Sequence, residues 1–293
     1  MPTSKKSRKK ASPKKAAADN VVAFAPDPRA MQGSIASMFG SRSKDPLDQA
    51  QEIMYEAWDN AVPKQRVALA QKALKISPLC ADAYNLLAEE HAKTQEEALG
   101  YYLKAVEAGK EALGSDGFKE YAGHFWGFLE TRPYMRARLG LGEALWVTGQ
   151  KDAAIENFQE MLELNPGDNQ GIRYVLAAKL LNVGRMNDLK RLLSTCADEA
   201  TADIQYTRAL VAYLDDAGDA EAIAQIAWET NQHVPGMLSG RIPTIELQGY
   251  ITMGGKDEAS GYVEIFGAPW TRTPGAVDWI ENLTSQLEHK ARH

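Results

Sequence analysis

The chain has 293 residues, 44% of them hydrophobic and 25% charged, ordinary values for a globular protein long enough to bury an extended core. It contains no run of about 18 apolar residues of the kind that crosses a membrane, and the only apolar stretch behind its basic start, Val21-Val22-Ala23-Phe24-Ala25, is too short for a secretory signal, so the expectation is a cytoplasmic protein. The net charge of −6 is unevenly placed: Lys5, Lys6, Arg8, Lys9, Lys10, Lys14 and Lys15 precede the first acid, Asp19, and removing those seven from 33 leaves 26 basic against 39 acidic residues in an acidic body.

Residues 1–45 are rich in Lys, Ser, Ala, Pro and Gly without sustained periodicity, a composition that buries too little surface to offset ordering entropy. They are expected to be a disordered basic tail. Its seven clustered cations could neutralise phosphates in a salt-sensitive way, but no aromatic residue is interleaved with them for base stacking. A solubilising or self-docking tail is therefore the preferred reading. The alternative is a nucleic-acid-associated protein that docks weakly on polyanions through these seven residues.

From Asp45-Pro46 the pattern becomes helical. Ala50, Ile53, Met54, Ala57 and Trp58 share one face, and Val67, Ala70, Ala73 and Leu74 share the face of a second helix that Pro78 stops. A second hairpin follows, Ala81 to Lys93 and Gln95 to about Leu113. The next stretch is inserted, and in it Phe118, Tyr121, Phe125 and Phe128, spaced 3, 4 and 3, read as an aromatic stripe on one face of a short helix, wedged between hairpins. The third hairpin, Glu130 to Tyr174, calibrates the whole chain. Leu141-Gly142, Leu145, Ala154, Phe158 and Pro166 fall at the offsets of L-G-x2-Y, A-x3-F and the closing Pro of a tetratricopeptide (TPR) repeat, with Arg138 where that pattern has Trp and Leu145 where it has Tyr. Gly142 and Ala154 let two helices approach, Leu141, Leu145 and Phe158 fill the seam, and Pro166 cannot continue the second helix. Beyond it, Gly149, Gly184, Gly218 and Gly254 recur as turn glycines at intervals of about 35 residues. The expected architecture is an all-α TPR-like solenoid, a right-handed superhelix of five or six hairpins, over residues 46–240, with a degenerate last hairpin and C-terminal cap over 241–293.

The stretches LLAEEHAKTQEEALGYYLKAVEAG, from Leu86, and NQHVPGML, from Asn231, resemble the suppressor-of-tumorigenicity-seven family, and ETRPYMR and LNPGDNQGIRY are similar to uncharacterised TPR-type relatives of it in bacteria and plants. The resemblance covers roughly residues 46–280. It implies a TPR-like helical core and no established enzymatic activity. The chain departs from the animal members in its basic tail and in having no membrane segment.

In stacked hairpins the first helices line a concave groove. Residues pointing away from the Leu141/Leu145 seam face it, namely Arg136, Leu139, Glu143 and Trp146, with Arg132 one turn earlier. Asp82, Asn85 and Glu89 join them from the second hairpin, and Gln170, Arg173 and Tyr174 from the fourth. Forked arginine donors, amides and a flat indole suit an extended peptide carrying both charge signs. The opposing reading is that Arg136 and Glu143 only pair with charges on adjacent helices. On the first reading, Arg136→Ala weakens partner capture without unfolding the chain.

For catalysis the sequence offers little. It has no G-x-S-x-G, no Walker loop, no C-x2-C and no H-E-x-x-H, and Gly140 and Gly142 sit inside a helix pattern as packing glycines. The five histidines lack ligand spacing, Glu120 and His124 are too few for a metal, and Cys80 and Cys196 read as buried thiols. The expectation is a non-enzymatic protein-interaction scaffold with no metal and no cofactor.

Overall fold

The computed structural model describes Arg29, residues 44–247 and residues 251–291; the seven basic tail residues lie outside them. Every regular element among the described residues is a helix. α1 (Pro46–Trp58) and α2 (Pro63–Ile76) form the first hairpin, α3 (Ala81–Glu90) and α4 (Gln95–Glu120) the second, and α5 (Arg132–Val147) and α6 (Lys151–Leu164) the third. α7 (Ile172–Val183) and α8 (Met186–Thr195) follow as the fourth, and α9 (Ala202–Leu214) and α10 (Ala220–Thr230) as the fifth. The chain ends in a short α11 (Val234–Leu238) and two longer helices, α12 (Lys256–Arg272) and α13 (Ala276–Ala291). Proline stands in the first turn of α1, α2 and α5, where its missing N–H has no partner to lose. Asp45 adds a side-chain cap by accepting from the Leu47 N–H at 2.7 Å.

The third hairpin packs as its repeat pattern requires. Leu141, Leu145, Ala154 and Phe158 are all buried, together with Met135, Ile155 and Met161. A methyl group built on Gly142 would stand 2.5 Å from the Phe158 ring and 2.6 Å from the Asn157 amide, and one built on Gly140 would stand 2.0 Å from the Tyr102 ring on α4. The two glycines thus set the approach of α5 to both of its neighbours. Arg138, standing where the repeat has a tryptophan, replaces that residue's bulk with hydrogen bonds. Its guanidinium donates to Asn157 Oδ1 at 2.6 Å, to the Tyr134 hydroxyl at 2.8 Å and to Glu160 at 2.5 Å, while Asn157 returns a bond to the Arg138 carbonyl at 2.8 Å.

Three of the four spaced glycines carry left-handed backbone: Gly149, Gly184 and Gly254 have φ of +85°, +73° and +73°. Gly218 does not; the α9–α10 turn takes its positive φ, +51°, at Asp216 instead, a residue type whose short polar side chain tolerates that region. Gly254 precedes α12, whose partner first helix is shortened to the single turn of α11.

The aromatic insertion differs from the expected short helix. α4 kinks at Gly114 (φ +59°) and ends at Glu120, Gly123 reverses the chain at φ +82°, and Phe125 and Phe128 sit on turns. Periodicity of 3, 4 and 3 cannot register a break made by a glycine between its members. The four rings still meet, as two pairs. Phe125, fully buried, lies 5.1 Å from Phe118 and 6.1 Å from Tyr134, and Tyr121 lies 4.7 Å from Phe128. The Phe125 N–H donates to the Leu164 carbonyl at 3.3 Å, tying the insertion to the end of α6. Glu120 and His124 consequently do not share a helix, and no group of three metal-ligating side chains exists among the described residues.

Cys80 and Cys196 are both free and buried, and burial pushes the Cys80 thiol up to about 12. At the C-terminal end, α12 lies against α7 and α9, the first helices of the fourth and fifth hairpins. Tyr206, Tyr262, Phe266 and Trp270 form its fully buried contact, with the Trp270 indole donating to the Tyr262 hydroxyl at 2.7 Å. Glu258 caps the arrangement by accepting from the Ala202 N–H, the Asn231 amide and the Gly254 N–H at 2.9, 2.9 and 2.7 Å. Arg272 reaches Asn182 on α7 at 2.9 Å. Among the described residues, the chain's own α12 covers the first-helix face over α7 and α9, and no second helix of that length lies over α1, α3 and α5.

Candidate functional site

On α3, Asp82 and Glu89 are seven residues apart, two turns of one face. Each holds an arginine. Arg136 of α5 forks onto Asp82 at 2.9 and 2.5 Å, and Asp82, fully buried, also accepts from the Gln51 and Asn85 amides at 2.9 and 3.2 Å. Arg29 donates to both carboxylate oxygens of Glu89 at 3.0–3.1 Å. Trp58, the last residue of α1, meets both cations, with the Arg29 guanidinium 4.8 Å and the Arg136 guanidinium 5.3 Å from its ring centroid. Each cation has its own carboxylate, so two positive groups share one indole without net repulsion. The Trp58 indole N–H finds no acceptor among the described residues. Tyr102 of α4 borders the same spot, its hydroxyl pushed up to about 12 by burial and then by the nearby Glu89 charge.

The other expected groove residues divide into two groups. Glu143 and Trp146, one turn apart on α5, meet Lys179 of α7, which pairs with Glu143 at 2.8 Å and lies 4.8 Å from the Trp146 ring centroid; Lys151 lies 4.9 Å from the same centroid. These two form a half-buried continuation of the face beyond Arg136. Arg132 is turned back onto the insertion, donating to the Trp126 carbonyl at 3.0 Å and stacking over its ring. Asn85 is buried beneath the surface and donates to the Pro133 carbonyl at 3.3 Å, its own Oδ1 receiving no donor among the described residues.

The fourth-hairpin trio lies at the start of α7. Asp168, at φ +44°, accepts from the Ile172 and Arg173 N–H groups at 2.7 and 2.9 Å and so caps that helix. Arg173 bridges Asp168 at 2.8 Å and Glu199 at 2.7 Å, and the hydrogen bond to Asp168 raises its already high pKa further. Tyr174 donates to Glu199; burial and that bond hold its hydroxyl protonated. Gln170 Oε1 is buried without a donor among the described residues. This cluster ties α7 to the segment before α9 and is separate from the Trp58 cluster.

Trp58, Asp82 and Lys179 organise the face; sequence reasoning placed Asp82 on it without its partner, and gave Trp58 and Lys179 no such role. Trp58 was visible only as the last member of an apolar stripe, and a half-buried lysine such as Lys179 leaves no periodic signal.

Stacked helical hairpins with small-residue seams, and a first-helix face lined by paired charges and indoles, define an all-α TPR-like repeat protein. The chain resembles the ST7 family. A family model described as ST7 protein matches residues 34–123. Protein ST7 homolog of Drosophila pseudoobscura pseudoobscura is 27% identical over 257 residues, covering 78% of this chain and 47% of that protein. Suppressor of tumorigenicity 7 protein of Macaca fascicularis is 26% identical over 290 residues, covering 83% and 54%. The chain thus spans about half the length of these curated relatives. Among solved structures, one described as YrrB, a TPR protein with an unusual peptide-binding site, superimposes with a TM-score of 0.46 at 17% identity over 70% of this chain and 93% of that one. Among the described residues no helix is long and apolar enough to cross a membrane.

Proposed function

We propose that the chain is a non-catalytic scaffold that holds a protein or peptide segment against the first-helix face, over α1, α3, α5 and the start of α7, and does so without metal or cofactor. The observation that carries this reading is the division of that face. Its far half is filled by α12, packed through four buried aromatic rings onto α7 and α9, so this surface accepts a packed segment. Its near half presents Glu89, Glu143 and Trp146, with Trp58 and Lys179 largely buried beside them, an assortment of charges of both signs and flat apolar groups that suits a peptide.

Affinity capture from native lysate, comparing the wild type with Glu143→Ala/Trp146→Ala, tests it. The Glu143 side chain is 43% exposed, so the pair can be removed with the helical circular dichroism unchanged. Losing a charge-assisted contact costs about 1.5–3 kcal/mol, a drop in captured partner of roughly ten- to a hundredfold. Identical partners in identical yield from both proteins would reject the groove.

A further inference from the structure

Arg29 is the one described residue ahead of residue 44, and it enters the near half of the face as a ligand enters a site. Its guanidinium makes a two-pronged contact with Glu89 and stacks over Trp58, the pair of interactions by which a protein distinguishes arginine from lysine: a planar fork matched to a carboxylate, and a flat cation laid on an indole. With Arg29 in place its side chain is 23% exposed and Trp58 is 2% exposed. The brace of the site does not include Arg29. The Asp82–Arg136 pair braces α3 against α5 behind the indole, and Glu89 projects two turns further along the same helix face as Asp82.

We infer that Trp58 and Glu89, braced by Asp82 and Arg136, form an arginine-reading site for an extended peptide, and that Arg29 of the same chain holds this site until an arginine of a partner displaces it. The inference rests on the scaffold reading and names the partner's chemistry: a segment offering an arginine to Glu89, preferred over lysine. A covalently attached ligand competes at high effective concentration, so even a weak internal contact suppresses binding from outside. The contact is also partly exposed, so salt weakens it.

The test uses the full chain, as wild type and as Arg29→Ala, with a fluorescent synthetic peptide of residues 24–34 as the probe and a second peptide carrying lysine in place of its arginine. Fluorescence anisotropy is expected to show the arginine peptide binding Arg29→Ala about tenfold or more tightly than wild type, because the internal competitor is gone. The lysine peptide is expected to bind about tenfold more weakly than the arginine peptide, a loss of one bidentate contact. Glu89→Gln, placed in the Arg29→Ala chain, should abolish the binding and leave the thermal midpoint unmoved, since the Glu89 side chain is 36% exposed. Equal affinity of wild type and Arg29→Ala, or no preference for arginine over lysine, overturns the inference. If that happens while Glu143→Ala/Trp146→Ala still loses its captured partner, the scaffold reading stands without the arginine site; if both results fail, both readings fall.

Discussion

Gly142→Leu is expected to abolish cooperative thermal unfolding of the protein, and Gly142→Ala to lower its stability by about 2 kcal/mol. Two effects oppose one another in the alanine variant. Alanine is the better helix former by roughly 1 kcal/mol, yet its methyl group would lie 2.5 Å from a Phe158 ring that is itself fully buried, and 2.6 Å from an Asn157 amide already bonded to the Arg138 carbonyl. Neither neighbour has room to withdraw, so overpacking wins. Leucine adds three more carbons to the same filled space, and a domain's margin of about 5–15 kcal/mol does not absorb repeated strain of that kind. Gly100→Ala is the internal control. It sits in α4 with nothing within 4 Å of the added carbon, so it should gain up to about 1 kcal/mol from helix propensity alone. Thermal melts followed by circular dichroism decide the matter: a Gly142→Ala protein as stable as Gly100→Ala would mean that α5 and α6 do not approach through that glycine.

The second large effect belongs to Arg136. Its removal leaves Asp82 fully buried with only the Gln51 and Asn85 amides as partners, and breaking one side of a buried ion pair costs about 3–5 kcal/mol. Arg136→Ala should therefore lower the denaturant midpoint strongly, which revises the expectation that this substitution weakens binding while sparing the fold. Adding Asp82→Asn to Arg136→Ala should recover a substantial part of the loss, because the uncompensated charge disappears while the amide contacts survive. Arg136→Lys should fall between, since an ammonium cannot fork across both carboxylate oxygens. A denaturant midpoint for Arg136→Ala equal to that of the wild type would contradict the brace.

These two residues also mark how far the sequence could be read. The approach of α5 and α6 was legible because Leu141-Gly142, Ala154 and Phe158 stand at fixed offsets, and fixed offsets record contacts made within one hairpin. Arg136 was legible as a residue facing away from the seam. Its partner was not, because Asp82 lies 54 residues away and a charge on one helix face carries no mark of which opposite charge it will meet. The same limit hid α12. Tyr262, Phe266 and Trp270 have ordinary helical spacing, and nothing local states that they pack onto α7 and α9 instead of a sixth first helix. Gly218 and the aromatic insertion failed for a different reason. An aspartate took over the positive φ in one, and a glycine between periodic aromatics broke the helix in the other, so in each case backbone conformation departed from side-chain pattern. Glu143 and Trp146 do lie together on the face, joined by Lys179, whereas Asn85 is buried below it, and Arg132, Arg173 and Tyr174 bind neighbouring parts of the chain.

The central claim is that the near half of the first-helix face is where a partner lies. Site-specific photo-crosslinking measures this directly, with benzoylphenylalanine placed at Glu143 on that face and, as the comparison, at Ile226, an exposed position on the second helix α10. The account predicts a discrete covalent adduct with a partner protein or peptide from position 143 in native lysate, suppressed by Trp146→Ala, and none from position 226. Adducts of equal yield from both positions, or from position 226 alone, would contradict it.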